Sequence, residues 1–231
     1  MPNLQNIFYR ACRLGDLTRI ETLLLEGVNV TEKNNLGIRA AAQYGHFQIV
    51  KRLHELGADI TAKDNEALIA TVKVNHIDLV KYLVENGADV SARNNEPLVY
   101  AAASGFLELV QYLCEKGADV TMYENRALKK AAEHNRTEVV KYLHQKYKNN
   151  KKIENYILIE AAKVGNINII NYLYENGVDL TMHNDIALWL AAENRQEKLI
   201  TLLVLAGADP QVMHKKIQTK KLLHISQLLK L

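Results

Sequence analysis

Eight histidines, two cysteines and a recurring file of glutamates are the residues of this chain that have the chemistry to hold a metal or move a proton. A zinc site needs three or four His, Cys or carboxylate ligands, and a sequence announces them as pairs a few residues apart. His46, His54, His76 and His144 are scattered, and none shares ligand spacing with a carboxylate or thiolate on one helix face. Cys12 and Cys114 stand alone, with no Cys-x-x-Cys. Neither a glycine-rich phosphate loop nor Gly-x-Ser-x-Gly occurs. The expectation is a chain with no metal, no cofactor and no catalytic residue, hence not an enzyme. Anion chemistry is better represented. Lys148, Lys151 and Lys152 crowd a short segment with Lys146, a candidate anion site; the competing reading is a solvated turn.

The elements that position these residues follow from a repeat. Gly27, Gly57, Gly87, Gly117, Gly177 and Gly207 keep a strict period of thirty, and Tyr147 fills the one empty slot. In the same frame Leu53, Leu83, Leu113, Leu143, Leu173 and Leu203 share a column, which Leu23 begins. Ala pairs recur at Ala41/Ala42, Ala101/Ala102, Ala131/Ala132, Ala161/Ala162 and Ala191/Ala192. A period in this range marks a stacked array. Each copy reads as two short helices. Asn35, Asn65, Asn95, Asn125, Asn155 and Asp185 stand where an N-cap would start the first. Gly15, Gly45, Asn75, Gly105, Asn135 and Gly165 occupy the turn, and Arg195 breaks that column. The second helix is amphipathic: Leu79, Val80, Leu83 and Val84 face inward, Asp78, Lys81 and Glu85 outward. Were the fifth turn to keep the common geometry, Tyr147→Gly would relieve a left-handed strain of roughly 1 kcal/mol.

The Ala-Ala-x-x-Gly-His-x-x-Val-Val-x-x-Leu-x-x-x-Gly-Ala-Asp-Val pattern, nearest at Ala41 to Ile60 and Ala101 to Val120, resembles the ankyrin repeat. The chain departs from it by three residues per copy, with Glu-Ala-Leu-Ile in place of Thr-Pro-Leu-His, so the hairpins between copies are expected to be short. In compositional style, rich in Asn, Lys, Ile and Tyr, it is similar to the ankyrin proteins of giant DNA viruses of amoebae. The resemblance implies an all-α, ankyrin-like solenoid of seven 30-residue helix-turn-helix repeats with shortened hairpins over 1–210. A C-terminal capping helix is expected over 211–231, where Leu222, Ile225 and Leu229 make an apolar stripe.

The resemblance also implies a concave groove that binds a protein. Its columns take Arg10, Ala40, Ala70, Tyr100, Lys130, Glu160 and Leu190, then Gln43, Lys73, Glu133, Lys163 and Glu193, then Tyr44, Val74, Ser104, His134, Val164 and Asn194. These vary in size and sign while the core columns do not. Tyr44, Tyr100, Tyr156 and Trp189 are the candidate aromatic anchors, with Lys130 and Glu133 beside them. Trp189 has a second reading, as packing under the last repeat.

Composition bounds the rest. No apolar run reaches the roughly 18 residues of a membrane span, and the first residues lack a secretory signal. The net charge is +3, but five lysines and no acid fall in 211–231, so residues 1–210 stand at −2. A protein partner is therefore expected, not nucleic acid or membrane, with the chain a monomer in the cytoplasm (host cytoplasm if viral). The alternatives are a polyanion binder using the fifth-repeat and tail lysines, and an adaptor recruiting a second protein through its C-terminal helix.

Overall fold

A helix end leaves its last carbonyls without partners, and one left-handed residue lets the following N–H groups fold back onto them. The computed structural model describes residues 3–147 and 150–212, and it uses this closure at both helix ends of a repeat. Gly57 sits at φ 89°, and the Ala58 N–H donates to the Leu53 carbonyl at 2.9 Å. Ala88 and Ala118 do the same to Leu83 and Leu113. These alanines are buried, which accounts for the Gly-Ala pair. Between the two helices Gly45 and Asn75 are left-handed, and His46 and His76 donate back to Ala41 and Thr71.

The described residues form helices α1 (Leu4–Leu14), α2 (Leu17–Leu25), α3 (Glu32–Gln43), α4 (Phe47–Glu55), α5 (Ala62–Lys73), α6 (Ile77–Glu85), α7 (Ala92–Ser104), α8 (Leu107–Glu115), α9 (Met122–Glu133), α10 (Thr137–Lys146), α11 (Lys151–Val164), α12 (Ile167–Glu175), α13 (Met182–Glu193) and α14 (Glu197–Leu205), with no strand among them. They fall into two compact units. One holds the residues up to Ala101 together with Phe106–Met122, the other Ala102–Gly105 and the described residues from Tyr123 on. In the first, α3 packs on α1 and on α5; in the second, α11 packs on α13 and α10 on α12. The expected C-terminal cap lies outside the described residues.

The leucine column is the core. Leu23, Leu53, Leu83 and Leu113 in the first unit, and Leu143, Leu173 and Leu203 in the second, are fully buried. Burying one leucine contributes roughly 1.5–3 kcal/mol. Second helices of nine residues do not stand alone in water, so each unit is held by packing between neighbouring pairs. Polar contacts keep the register: Arg52 forks onto Glu21 at 2.8 and 3.3 Å, and Lys81 reaches Glu108 at 3.4 Å. The bond from Arg52 holds the Glu21 carboxyl below its ordinary range.

The asparagine column is not a set of N-caps. Asn35, Asn65 and Asn95 have φ of 59°, 61° and 60°, and each ends a run of three left-handed residues begun by Lys33, Lys63 and Arg93. His183, Asn184 and Asp185 form the same run in the second unit. The shortened connection between repeats is thus a left-handed turn. Asparagine suits it because its short amide tolerates that backbone region. The side chain then clamps the next repeat: Asn35 Oδ1 accepts the Asp59 N–H at 2.8 Å, and Asn65 Oδ1 accepts that of Asp89 at 2.9 Å. Asn95 turns its amide instead, donating Nδ2 to the Asp119 carbonyl. Each linker aspartate folds its own turn, Asp59 accepting both the N–H and the hydroxyl of Thr61. The same bonds from Thr181 lower the Asp179 pKa. Their contribution to stability is therefore present above the ordinary aspartate pKa and lost as pH falls through the lowered one.

The fifth repeat breaks both rules. Tyr147 has φ −116°, and α10 runs one residue longer than the other second helices. Tyr147 is therefore not left-handed, as Gly57 and Gly87 are. Asn150 instead caps α11 by accepting the Lys152 and Ile153 N–H groups, and α11 continues without left-handed residues through Asn155. Tyr147→Gly is now expected to leave stability unchanged or lower it by roughly 0.5–1 kcal/mol through unfolded-chain entropy. Arg195, which looked like a break in its column, has φ 56° and keeps the turn. Arg195→Gly should therefore stabilise by roughly 1 kcal/mol. Urea melts of the two variants check the contrast.

Candidate protein-binding face

The third groove column falls where each first helix ends and the chain reverses. In the first unit the third groove column is apolar and exposed: Tyr44 and Val74 are 49% and 45% accessible. Leu14, thirty residues before Tyr44, is 61% accessible and extends the column to a third repeat. Sequence reasoning missed Leu14 and Arg13 although both stand in frame with residues it named. Tyr44 stacks on the His46 ring at 6.4 Å between centroids. Tyr100 is half-buried, with Lys73 Nζ 4.0 Å from its centroid.

The alanines Ala40 and Ala70 leave a hollow of about 270 Å³ beside these residues, bounded by Arg39, Gln43, Glu66 and Lys73. Arg39 is buried and pairs with Glu66 at 2.9 Å. It also donates to the carbonyls of Lys33 and Asn34, so one guanidinium pins the left-handed turn and forms the wall of the hollow. A larger open depression of about 600 Å³ lies at the turn around Gly45 and Asn75; its titratable residues are His76 and Asp78.

The second unit keeps an exposed apolar residue in the third column, Val164 at 39% accessible, but treats the first two columns differently. Lys130 pairs with Glu133 at 2.6 Å, and Lys129 approaches the same carboxylate at 4.0 Å. Glu160 is buried and holds Lys163 at 2.8 Å, and Leu190 is buried. Neither Glu160 nor Leu190 belongs to the open surface on which the sequence placed it. Tyr156 and Trp189 are half-buried. Lys151 and Lys152 are exposed at the start of α11, while Lys148 lies outside the described residues.

The candidate metal and acid–base groups are occupied with structure. His46 stands at the N-cap of α4 without a side-chain cap bond; its Nε2 lies 3.0 Å from the Arg13 carbonyl of the previous repeat. Arg136 and Gln196 make the corresponding bonds to Ala103 and Lys163 in the second unit. His54 Nδ1 is 2.8 Å from the Tyr82 hydroxyl, and His144 Nδ1 is 3.0 Å from that of Tyr172. Both cysteines are buried, and burial pushes the Cys12 thiol up to about 12, which keeps it protonated. Among the described residues no group of three His, Cys, Asp or Glu converges as a metal site. No helix there is long and apolar enough to cross a membrane.

A family model described as ankyrin repeats, in three copies, matches residues 7–94, 38–124, 89–154 and 128–214. No curated protein matches the chain in sequence. Ankyrin repeats are in general protein–protein interaction modules. The paired helices, their left-handed closures and matches spanning most of the sequence agree: the chain belongs to the ankyrin repeat family.

Proposed function

We propose that this protein is a non-catalytic interaction scaffold that holds a protein partner on the groove face formed by the open ends of its first helices. The observation that carries the reading is the exposed column Leu14, Tyr44 and Val74, set one repeat apart beside the hollow at Ala40 and Ala70. Isolated exposed apolar residues are ordinary; an aligned file of them next to a concavity is a binding surface. Tyr44 and Tyr100 are the anchors of the first unit. Lys130, Glu133, Tyr156 and Trp189 supply the contacts of the second.

The test is partner capture with and without the anchors. Tyr44→Ala and Tyr100→Ala together should leave far-UV helicity intact, since neither is a core residue. Each truncation at a hot spot costs roughly 2 kcal/mol, about thirtyfold in affinity. Retained binding in the double variant, with loss on reversing Lys151 and Lys152 to Glu, would transfer the function to the lysine segment and to a polyanion.

A further inference from the structure

The two units carry different charge in the same columns. In the first unit the ten positions are Arg10, Ala40, Ala70 and Tyr100, then Arg13, Gln43 and Lys73, then Leu14, Tyr44 and Val74. They hold three cations and no acid. Arg10, Arg13 and Lys73 are exposed, and among the described residues no carboxylate pairs with them. The neighbouring acids are engaged, Glu66 with Arg39 at 2.9 Å and Glu96 with Arg93 at 3.9 Å. In the second unit the columns contain Lys130 and Lys163 against Glu133, Glu160 and Glu193, and both lysines are paired internally.

From this contrast we infer that the first unit's groove binds an acidic segment of a partner protein that carries an apolar side chain at every third residue. The inference rests on the groove reading above and adds the chemistry of the occupant. Cations without a carboxylate partner, in line with apolar contacts, complement carboxylates in line with apolar side chains, and such complementarity selects the partner's sign. The spacing follows from the pitch. Helices pack about 8–10 Å apart, and a polyproline II chain brings every third residue to one side at roughly 9 Å intervals. One apolar residue per turn thus meets Leu14, Tyr44 and Val74 in succession, while the residues between them face Arg10, Arg13 and Lys73.

The test uses the full chain and fluorescein-labelled 15-residue peptides in low-salt anisotropy titrations. The peptides are five repeats of Leu-Glu-Pro, Leu-Gln-Pro or Leu-Lys-Pro, with an oligothymidylate of matched charge as a fourth probe. The glutamate peptide is expected to bind at least about tenfold tighter than the lysine peptide, the scale of several exposed charge contacts. The variant Arg10→Glu, Arg13→Glu, Lys73→Glu, checked for unchanged helicity, should invert that order. A glutamate peptide bound no tighter than the lysine peptide, absence of binding included, overturns the inference. So does an order that the triple variant leaves intact, or a preference for the oligothymidylate. If the glutamine peptide binds as well as the glutamate one, and Tyr44→Ala with Tyr100→Ala abolishes both, the groove reading stands and the acidic partner falls. Peptide binding that is indifferent to Tyr44 and Tyr100 removes the groove reading as well.

Discussion

Gly45→Ala is expected to destabilise the protein by about 3 kcal/mol, several times more than a single surface substitution ordinarily does. Two effects add. Gly45 has φ 74°, where any L side chain costs roughly 1–2 kcal/mol. A Cβ placed there would also fall on the His76 imidazole of the next repeat, inside any allowed contact distance. Crowding of this kind costs roughly 1–3 kcal/mol when the neighbour has to move. Gly57 provides the control, because it is left-handed too, at φ 89°, but has open space where its Cβ would lie. Gly57→Ala should therefore cost only the backbone part. In a His76→Ala background Gly45→Ala should fall to the Gly57 value, a coupling that chemical denaturation of the four chains measures. Equal costs at Gly45 and Gly57 would mean that the imidazole yields freely.

Asn35→Ser should cost about 2 kcal/mol, whereas Asn35→Asp should stay near the parent. Both substituents are good N-caps, so a capping role would make both neutral. As a left-handed clamp the position discriminates between them. Aspartate tolerates φ 59° and keeps an oxygen for the Asp59 N–H. Serine pays the left-handed penalty, and its hydroxyl is one bond too short to cross to the next repeat. The loss of that part-buried bond accounts for roughly 1 kcal/mol of the total. Asn35→Gly should fall between the two, since it relieves the backbone and loses the bond. Thermal or urea melts rank the three, and a serine variant as stable as the aspartate one would restore the capping account.

That column shows where the sequence was legible and where it was not. The Leu and Ala columns and the Gly-Ala pair could be read because one physical demand, burial or a left-handed closure, selects one residue type at every copy. Asparagine answers two demands, N-capping and the left-handed backbone, and its recurrence does not say which. The deciding fact is that Lys33, Lys63 and Arg93 are left-handed as well. No residue preference announces that, because a three-residue connection imposes it. Tyr147 was visible as an anomaly, but the lengthened α10 and the cap at Asn150 depend on how the following segment packs. In the candidate site, Tyr44 was legible because a large residue in a varying column is either exposed or out of register. Glu160 was misplaced because neighbouring residues cover it while its carboxylate still reaches the exposed Lys163, and a column reading does not weigh what covers a position.

Site-specific photocrosslinking tests the central claim most directly. A photoreactive side chain is introduced singly at Tyr44, Val74, Glu85 or Glu115 of the full chain, and each protein is irradiated with its captured partner. Tyr44 and Val74 lie in the exposed groove column, Glu85 and Glu115 on the outer side of the second helices. The account predicts covalent adducts with the partner from positions 44 and 74 and none from 85 and 115. Adducts from 85 and 115 with none from 44 and 74 would contradict it, placing the partner on the outer face.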